Sequence, residues 1–200
     1  MGKKKDKKDL QRIEFNDLLF DCIVCLNSDL PSKNFFKKFE NIRILAADGA
    51  ALKLYKKGII ADIIIGDLDS FNRSRMREKF NSDKIFYDES QETNDFQKVL
   101  DFALKRTYRN ILVLGFHGGE LEHTLNNWSI LLKYKNLFYL CIYEKNRYAI
   151  PIEGNIELKC KKGEILSLIP QTEAIITSKN LKWELNNELL KLGIREGARN

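Results

Sequence analysis

Apolar, strand-like runs alternate with segments of helical spacing over the first two thirds of this 200-residue chain, and no other feature constrains its fold as strongly. The runs fall at Leu18–Leu26, Ile42–Ala47, Asp62–Ile65, Lys84–Tyr87, Ile111–Gly115 and Leu137–Tyr143. Between them lie PSKNFFKKF, GAALKLYKKG, SRMREKF, DFQKVLDFALKR and TLNNWSILLKY. In the fourth of these segments Phe96, Val99, Leu100, Ala103 and Leu104 recur at i, i+3, i+4, i+7 and i+8, the period of a helix with one buried face. Strands that each feed a helix imply βαβ units. The expected fold is therefore α/β, a mostly parallel, doubly wound (Rossmann-like) sheet covered on both faces.

After about Lys145 the pattern changes. RYAIPI, NIELKC, EILSLIP and EAIIT are short strand candidates separated by Gly154-Asn155, Lys162-Gly163 and Pro170-Gln171. They read as a small antiparallel β (sandwich-like) domain. The expected organisation is a basic, disordered tail over 1–15, an α/β catalytic domain over 16–145 and the small β domain over 146–200.

Composition removes several classes of function. A hydrophobic fraction of 44% is ordinary for a chain with a real core. No apolar stretch approaches the roughly 18 residues a membrane span needs. The start, MGKKKDKKDLQRIEF, lacks the apolar h-region of a secretory signal. Net charge is +6, and the tail supplies about half of it, its five lysines within Lys3–Lys8 set against Asp6 and Asp9. Beyond that tail the charge is well mixed, which argues against a nucleic-acid face. Cys22 and Cys25 have the spacing of a redox or zinc pair but lie inside one strand-like run, where alternation sends them to opposite faces. No second pair completes a metal site, so they read as buried structural thiols in a reducing, cytoplasmic compartment.

The polar residues gather where an open α/β sheet holds its ligands, beyond the carboxyl ends of the strands. Ile42–Ala47 ends in Asp48-Gly49. Asp62–Ile65 ends in Gly66-Asp67-Leu68-Asp69-Ser70. Ile111–Gly115 leads to His117-Gly118-Gly119, and Thr93-Asn94-Asp95 opens the helix after Lys84–Tyr87. Each has a plain structural explanation as a turn or a helix cap. Together they place Asp48, Asp67, Asp69 and Asp95 near one crevice, a repulsive arrangement unless cations offset it. Oxygen donors without a His/Cys set favour Mg²⁺, which commonly joins a few carboxylates to substrate phosphates. The Gly118-Gly119 turn adds backbone N–H groups that could face a phosphate. Lys98, one turn beyond Asp95, could offset the acidic charge or reach a phosphate oxygen. The residues thus point to Mg²⁺-dependent transfer on a nucleotide without naming the acceptor.

At these same residues the sequence resembles the thiamin pyrophosphokinases. That family's pattern is an Asp-Gly turn, then G-D-x-D-S, T-D-F-x-K, G-G-R-x-D-H and a late L-K-W-x-L. Here the blocks read ADG at Ala47–Gly49, GDLDS at Gly66–Ser70, TNDFQK at Thr93–Lys98, GGELEH at Gly118–His123 and LKWEL at Leu181–Leu185. The resemblance implies an α/β half followed by a small β half. It also implies diphosphoryl transfer from ATP to the hydroxyl of thiamin with release of AMP, and a homodimer that binds thiamin between its subunits. Asp67, Asp69 and Asp95 would hold Mg²⁺ on the triphosphate, with Asp48 and Lys98 beside the reacting groups. Gly49, Gly66, Ser70, Thr93, Asn94, Gly118, Gly119, Glu122, His123 and Asn200 would line the substrate sites. Trp183 would offer an aromatic face to a cationic ring; the alternative for it is the core of the β domain.

Two departures stand out. Glu120 and Glu122 occupy the places of the family's Arg and Asp, and Glu120 would repel a phosphate that the forked guanidinium of Arg would grip. The family also normally continues past its L-K-W-x-L block into another strand, so the β domain is expected to be short. A related nucleotide-dependent diphosphokinase or phosphohydrolase acting on another small molecule, or a non-catalytic binding homologue, are the alternatives.

Overall fold

The computed structural model describes residues 10–14, 19–69, 77–90 and 92–199. The lysine tail, the start of the first apolar run, Ser70, the first three residues of SRMREKF and Asn200 lie outside the described residues. The chain divides into two units, residues 1–11 with 15–156, and residues 12–14 with 157–200.

The larger unit is built on a seven-stranded sheet. Its strands are β2 (Cys22–Cys25), β3 (Arg43–Ala47), β4 (Ile63–Gly66), β5 (Ile85–Tyr87), β6 (Asn110–Leu114), β7 (Tyr139–Glu144) and β8 (Arg147–Ala149), in the order β5-β4-β3-β2-β6-β7-β8. Strands β2 to β7 run parallel, with Val24 opposite both Leu45 and Val113. β2 and β4 are buried along their whole length, as expected of parallel strands covered on both faces. That is why they read as unbroken apolar runs. Cys22 and Cys25 are fully buried and unpaired, as is Cys141, whereas Cys160 is exposed. Burial pushes the Cys22 thiol up to about 12 and raises Cys25 further, so neither is a thiolate near neutral pH.

Among the described residues four helices pack the sheet: α1 (Lys33–Phe36), α2 (Asp48–Lys56), α3 (Asp95–Lys105) and α4 (Leu121–Tyr134). In α3 the residues Phe96, Val99, Leu100 and Ala103 are buried, matching the apolar stripe in the sequence. Its start is fixed by Asn94, whose side-chain oxygen accepts the Gln97 backbone N–H at 2.8 Å, an N-cap worth about 1 kcal/mol.

The change of pattern at Lys145 marks a reversal of strand direction. Lys145 and Asn146 both take positive φ, 47° and 63°, and form a two-residue loop that returns β8 antiparallel to β7. The larger unit therefore continues to Ile156. β1 (Gln11–Ile13) pairs with β9 (Ile156–Leu158), and in the smaller unit β10 (Glu173–Ile176) pairs antiparallel with β11 (Glu188–Lys191). EILSLIP forms no regular strand; its Leu168 makes an isolated bridge to Gly197. Leu190, fully buried, centres the packing of this unit.

Candidate active site

The chain winds outward from β2 through β3 and β4 to β5, then returns to set β6 on the other side of β2. The strand order reverses there, and the loops after β2 and β6 part to leave a crevice at the carboxyl edge. The two loops are tied together. The Ser28 hydroxyl donates to the His117 carbonyl, and a side chain at Gly118 (φ +99°) would run into that hydroxyl. His117 is held in turn by Glu144 at the end of β7, through Nδ1 and Oε2. Its ring rests against Phe116 and Trp128, at centroid distances of 5.0 and 5.6 Å.

Three acidic residues come together around Gly66. Asp48 is the first residue of α2 and only 3% exposed. Gly66 closes β4 with φ +154°, and a Cβ built there would lie 2.9 Å from the Cβ of Asp48 and 3.5 Å from Oδ1 of Asp95. The glycine is what lets β4 end between two acids. Asp67 follows, its Oδ1 accepting the Asp69 N–H at 3.2 Å. Leu68 between them is buried and held at φ 61°, a left-handed conformation that costs a leucine about 1 kcal/mol or more. Burying that leucine leaves Asp67 half-buried and Asp69 exposed.

Asp95 is the electrostatic centre of the group. Burial raises its carboxyl above the ordinary carboxylate range; Lys98 pulls it down, Asp67 and Asp48 push it up, and His123 lowers it slightly. The folded chain therefore holds a proton on Asp95 in a pH window where the unfolded chain has released it. Stability falls as pH rises through that window, and the penalty vanishes below it, where both states are protonated. Asp95→Asn, which cannot ionise, is expected to melt at a higher temperature than the unaltered chain at pH 7 in EDTA. Its melting temperature should also vary less between pH 4 and pH 7, as thermal scans would show.

The structure places the remaining sequence candidates as follows. Lys98 is 3% exposed and donates from Nζ to the Asp88 carbonyl at 2.9 Å, so it takes the charge-offsetting role and is not extended into the crevice. Thr93 is half-buried just ahead of the Asn94 cap. Gly49 packs against the Asn27 side chain, while Gly119 (φ +74°) faces open space. Glu120 is the N-cap position of α4 without capping it, and its carboxylate pairs with Nε2 of His123 at 3.3 Å. Glu122 lies exposed in the first turn of α4. Trp183, in the smaller unit, is 65% exposed and not core, with the Lys182 ammonium 5.1 Å from its ring centre. Ser70 and Asn200 lie outside the described residues.

Sequence reasoning passed over the β2 loop, Asn27, Ser28 and Asp29, which touches both glycine turns. An Asn-Ser-Asp run directly after a strand was the available signal. Among the described residues no three His, Cys, Asp or Glu side chains converge as a metal-binding set. The donor chemistry fits Mg²⁺ all the same, because this ion is commonly held by one or two carboxylates with water and phosphate completing its shell.

A doubly wound parallel sheet, acids gathered at its carboxyl edge and a separate small β unit define an α/β protein with a candidate ligand site at the switch point of its sheet. The model of the thiamin pyrophosphokinase catalytic domain matches residues 36–142. The chain is 30% identical over 157 residues to a thiamine pyrophosphokinase of Bacillus subtilis, covering 74% of this chain and 73% of that protein. A thiamin pyrophosphokinase of Caenorhabditis elegans is 27% identical over 166 residues, with 74% and 67% covered. The solved thiamin pyrophosphokinase of Candida albicans shares the fold at a TM-score of 0.77 and 19% identity, over 95% of this chain and 85% of that one. The chain belongs to the thiamin pyrophosphokinase family, a family of enzymes.

Proposed function

We propose that this chain transfers a diphosphoryl group from ATP to the hydroxyl of thiamin, giving thiamin diphosphate and AMP. The observation that carries the reading is the meeting of Asp48, Asp67 and Asp95 around Gly66 at the carboxyl edge of the sheet, in a chain of this family. Of Asp67, Asp69 and Asp95, one or two would hold Mg²⁺ directly, and the ion when bound would neutralise charge on the phosphates. The chain's own part is positioning and electrostatics, as in phosphoryl transfer generally. The Gly118-Gly119 turn, open at Gly119, would present backbone N–H groups to a phosphate, and Asn94 fixes the start of α3, the helix that Asp95 opens, with Thr93 beside it. Lys98 keeps Asp95 available as a carboxylate. Trp183 offers its exposed ring to the cationic thiazolium of thiamin.

The proposed working form is a cytoplasmic homodimer. No helix among the described residues is long and apolar enough to cross a membrane. The test is AMP formation from ATP and Mg²⁺ with and without thiamin. AMP is expected only when thiamin is present. If thiamin neither stimulates AMP release nor binds, the proposed function fails.

A further inference from the structure

An open surface groove of about 520 Å³ lies beside the crevice, lined by Ser28, Asp29 and Leu30 on one wall and by the exposed Lys53, Lys56 and Lys57 of α2 and its C-cap on the other. Its charge is lopsided, with three ammonium groups facing one carboxylate. Lys53 stands i, i+3 from Lys56 and i, i+4 from Lys57, so these like charges share one helix face and repel. Among the described residues none of the three forms an ion pair. A fourth ammonium approaches the same end of α2: Nζ of Lys33 lies 3.4 Å from where a Cβ on Gly58 would stand. Basic residues in a last helical turn favourably complement the helix dipole. That effect does not require three of them to line one groove.

The groove shares its wall with the active-site crevice. Ser28 faces both: its carbonyl accepts Nζ of Lys53 at 3.4 Å, and its hydroxyl holds the His117 carbonyl of the loop after β6. Asp29 closes the same corner, its carboxyl carbon 3.9 Å from where a Cβ on Gly118 would lie. An anion seated against the Gly118-Gly119 turn would thus meet the mouth of the lysine-lined groove. The α4 side of the turn is poor in cations, because Glu120 stands there and takes up His123.

We propose that this groove is a polyphosphate seat, in which Lys53, Lys56 and Lys57 grip a phosphate chain from the α2 side in place of a cation at Glu120. The proposal rests on the ATP-dependent reading above for its source of phosphate, but the seat itself is defined by the lysines. Ammonium groups at this spacing suit an extended chain of charges more than a single phosphate, since each can follow a different phosphoryl group as a point charge.

The test is calorimetric titration of the full chain with ATP and, separately, with inorganic tripolyphosphate, at low and raised salt and without thiamin. The variants are Lys53→Ala/Lys56→Ala/Lys57→Ala and the matching triple arginine form. The alanine form is expected to bind both ligands at least tenfold more weakly and to lose most of the salt dependence, with its melting temperature unchanged; the arginine form should retain binding. Loss of tripolyphosphate binding alone would keep the seat and assign it to a free polyphosphate. Unchanged affinity for both ligands in the alanine form, or equal loss in the arginine form, would overturn the proposal. Because the readout needs no thiamin, failure of the thiamin-dependent AMP assay leaves this result separately readable.

Discussion

Gly66→Ala is expected to lose about 2–4 kcal/mol of stability and nearly all activity, although the substitution adds a single methyl group. The backbone at Gly66 has φ +154°, a region that costs a side-chain-bearing residue about 1–3 kcal/mol. The new Cβ would also stand 2.9 Å from the Cβ of Asp48, which belongs to the buried first turn of α2 and has little freedom to retreat. Relief would need β4 or α2 to shift, and either shift separates Asp48, Asp67 and Asp95. Chemical denaturation gives the stability change and AMP formation gives the activity. A variant within 0.5 kcal/mol of the parent with full activity would show that the acids need no such close approach.

Asp67→Asn is expected to behave in the opposite way, folding normally while losing about 1,000-fold in kcat. The asparagine oxygen can still accept the Asp69 N–H that closes the local turn, so the loop keeps its shape. What is lost is one negative charge from the group that would hold a cation on the phosphates. Removing a preorganised electrostatic group of this kind typically costs 10²–10³ in rate. The same substitution removes one of the two carboxylates that push Asp95 upward, so the Asp95 carboxyl should titrate lower. Steady-state kinetics, with circular dichroism to verify folding, decides the matter. A loss under tenfold would remove Asp67 from the phosphate site.

How much of this was legible in the sequence depends on how local each feature is. β2, β3, β4, β6 and β7 announce themselves because parallel strands buried on both faces must be apolar throughout. β8 gives no such sign: Arg147–Ala149 is exposed along its length, and only the Lys145-Asn146 reversal places it on the main sheet. Asp48, Asp67 and Asp95 could be picked out because each follows or precedes a recognisable element, and Gly66 because it interrupts an apolar run. The Ser28 loop could not be weighed in the same way. Its meaning depends on β2 and β6 being neighbours, although three strands intervene between them in sequence, and no local pattern encodes that adjacency. Lys98 shows a related limit. Helical spacing correctly put it near Asp95, but the side chain's burial toward the Asp88 carbonyl follows from tertiary packing. Glu120 looked like a bare obstacle to phosphate; three-dimensional placement gives it His123 as a partner and moves attention to the cations across the crevice.

The central claim, that the acids around Gly66 serve a diphosphoryl transfer to thiamin, is tested most directly by following one reaction of ATP, Mg²⁺, thiamin and the full chain with phosphorus NMR. The account predicts that AMP and thiamin diphosphate appear together in equal amounts, with no ADP or thiamin monophosphate along the way. Formation of ADP, or of AMP with free diphosphate and unchanged thiamin, would contradict it.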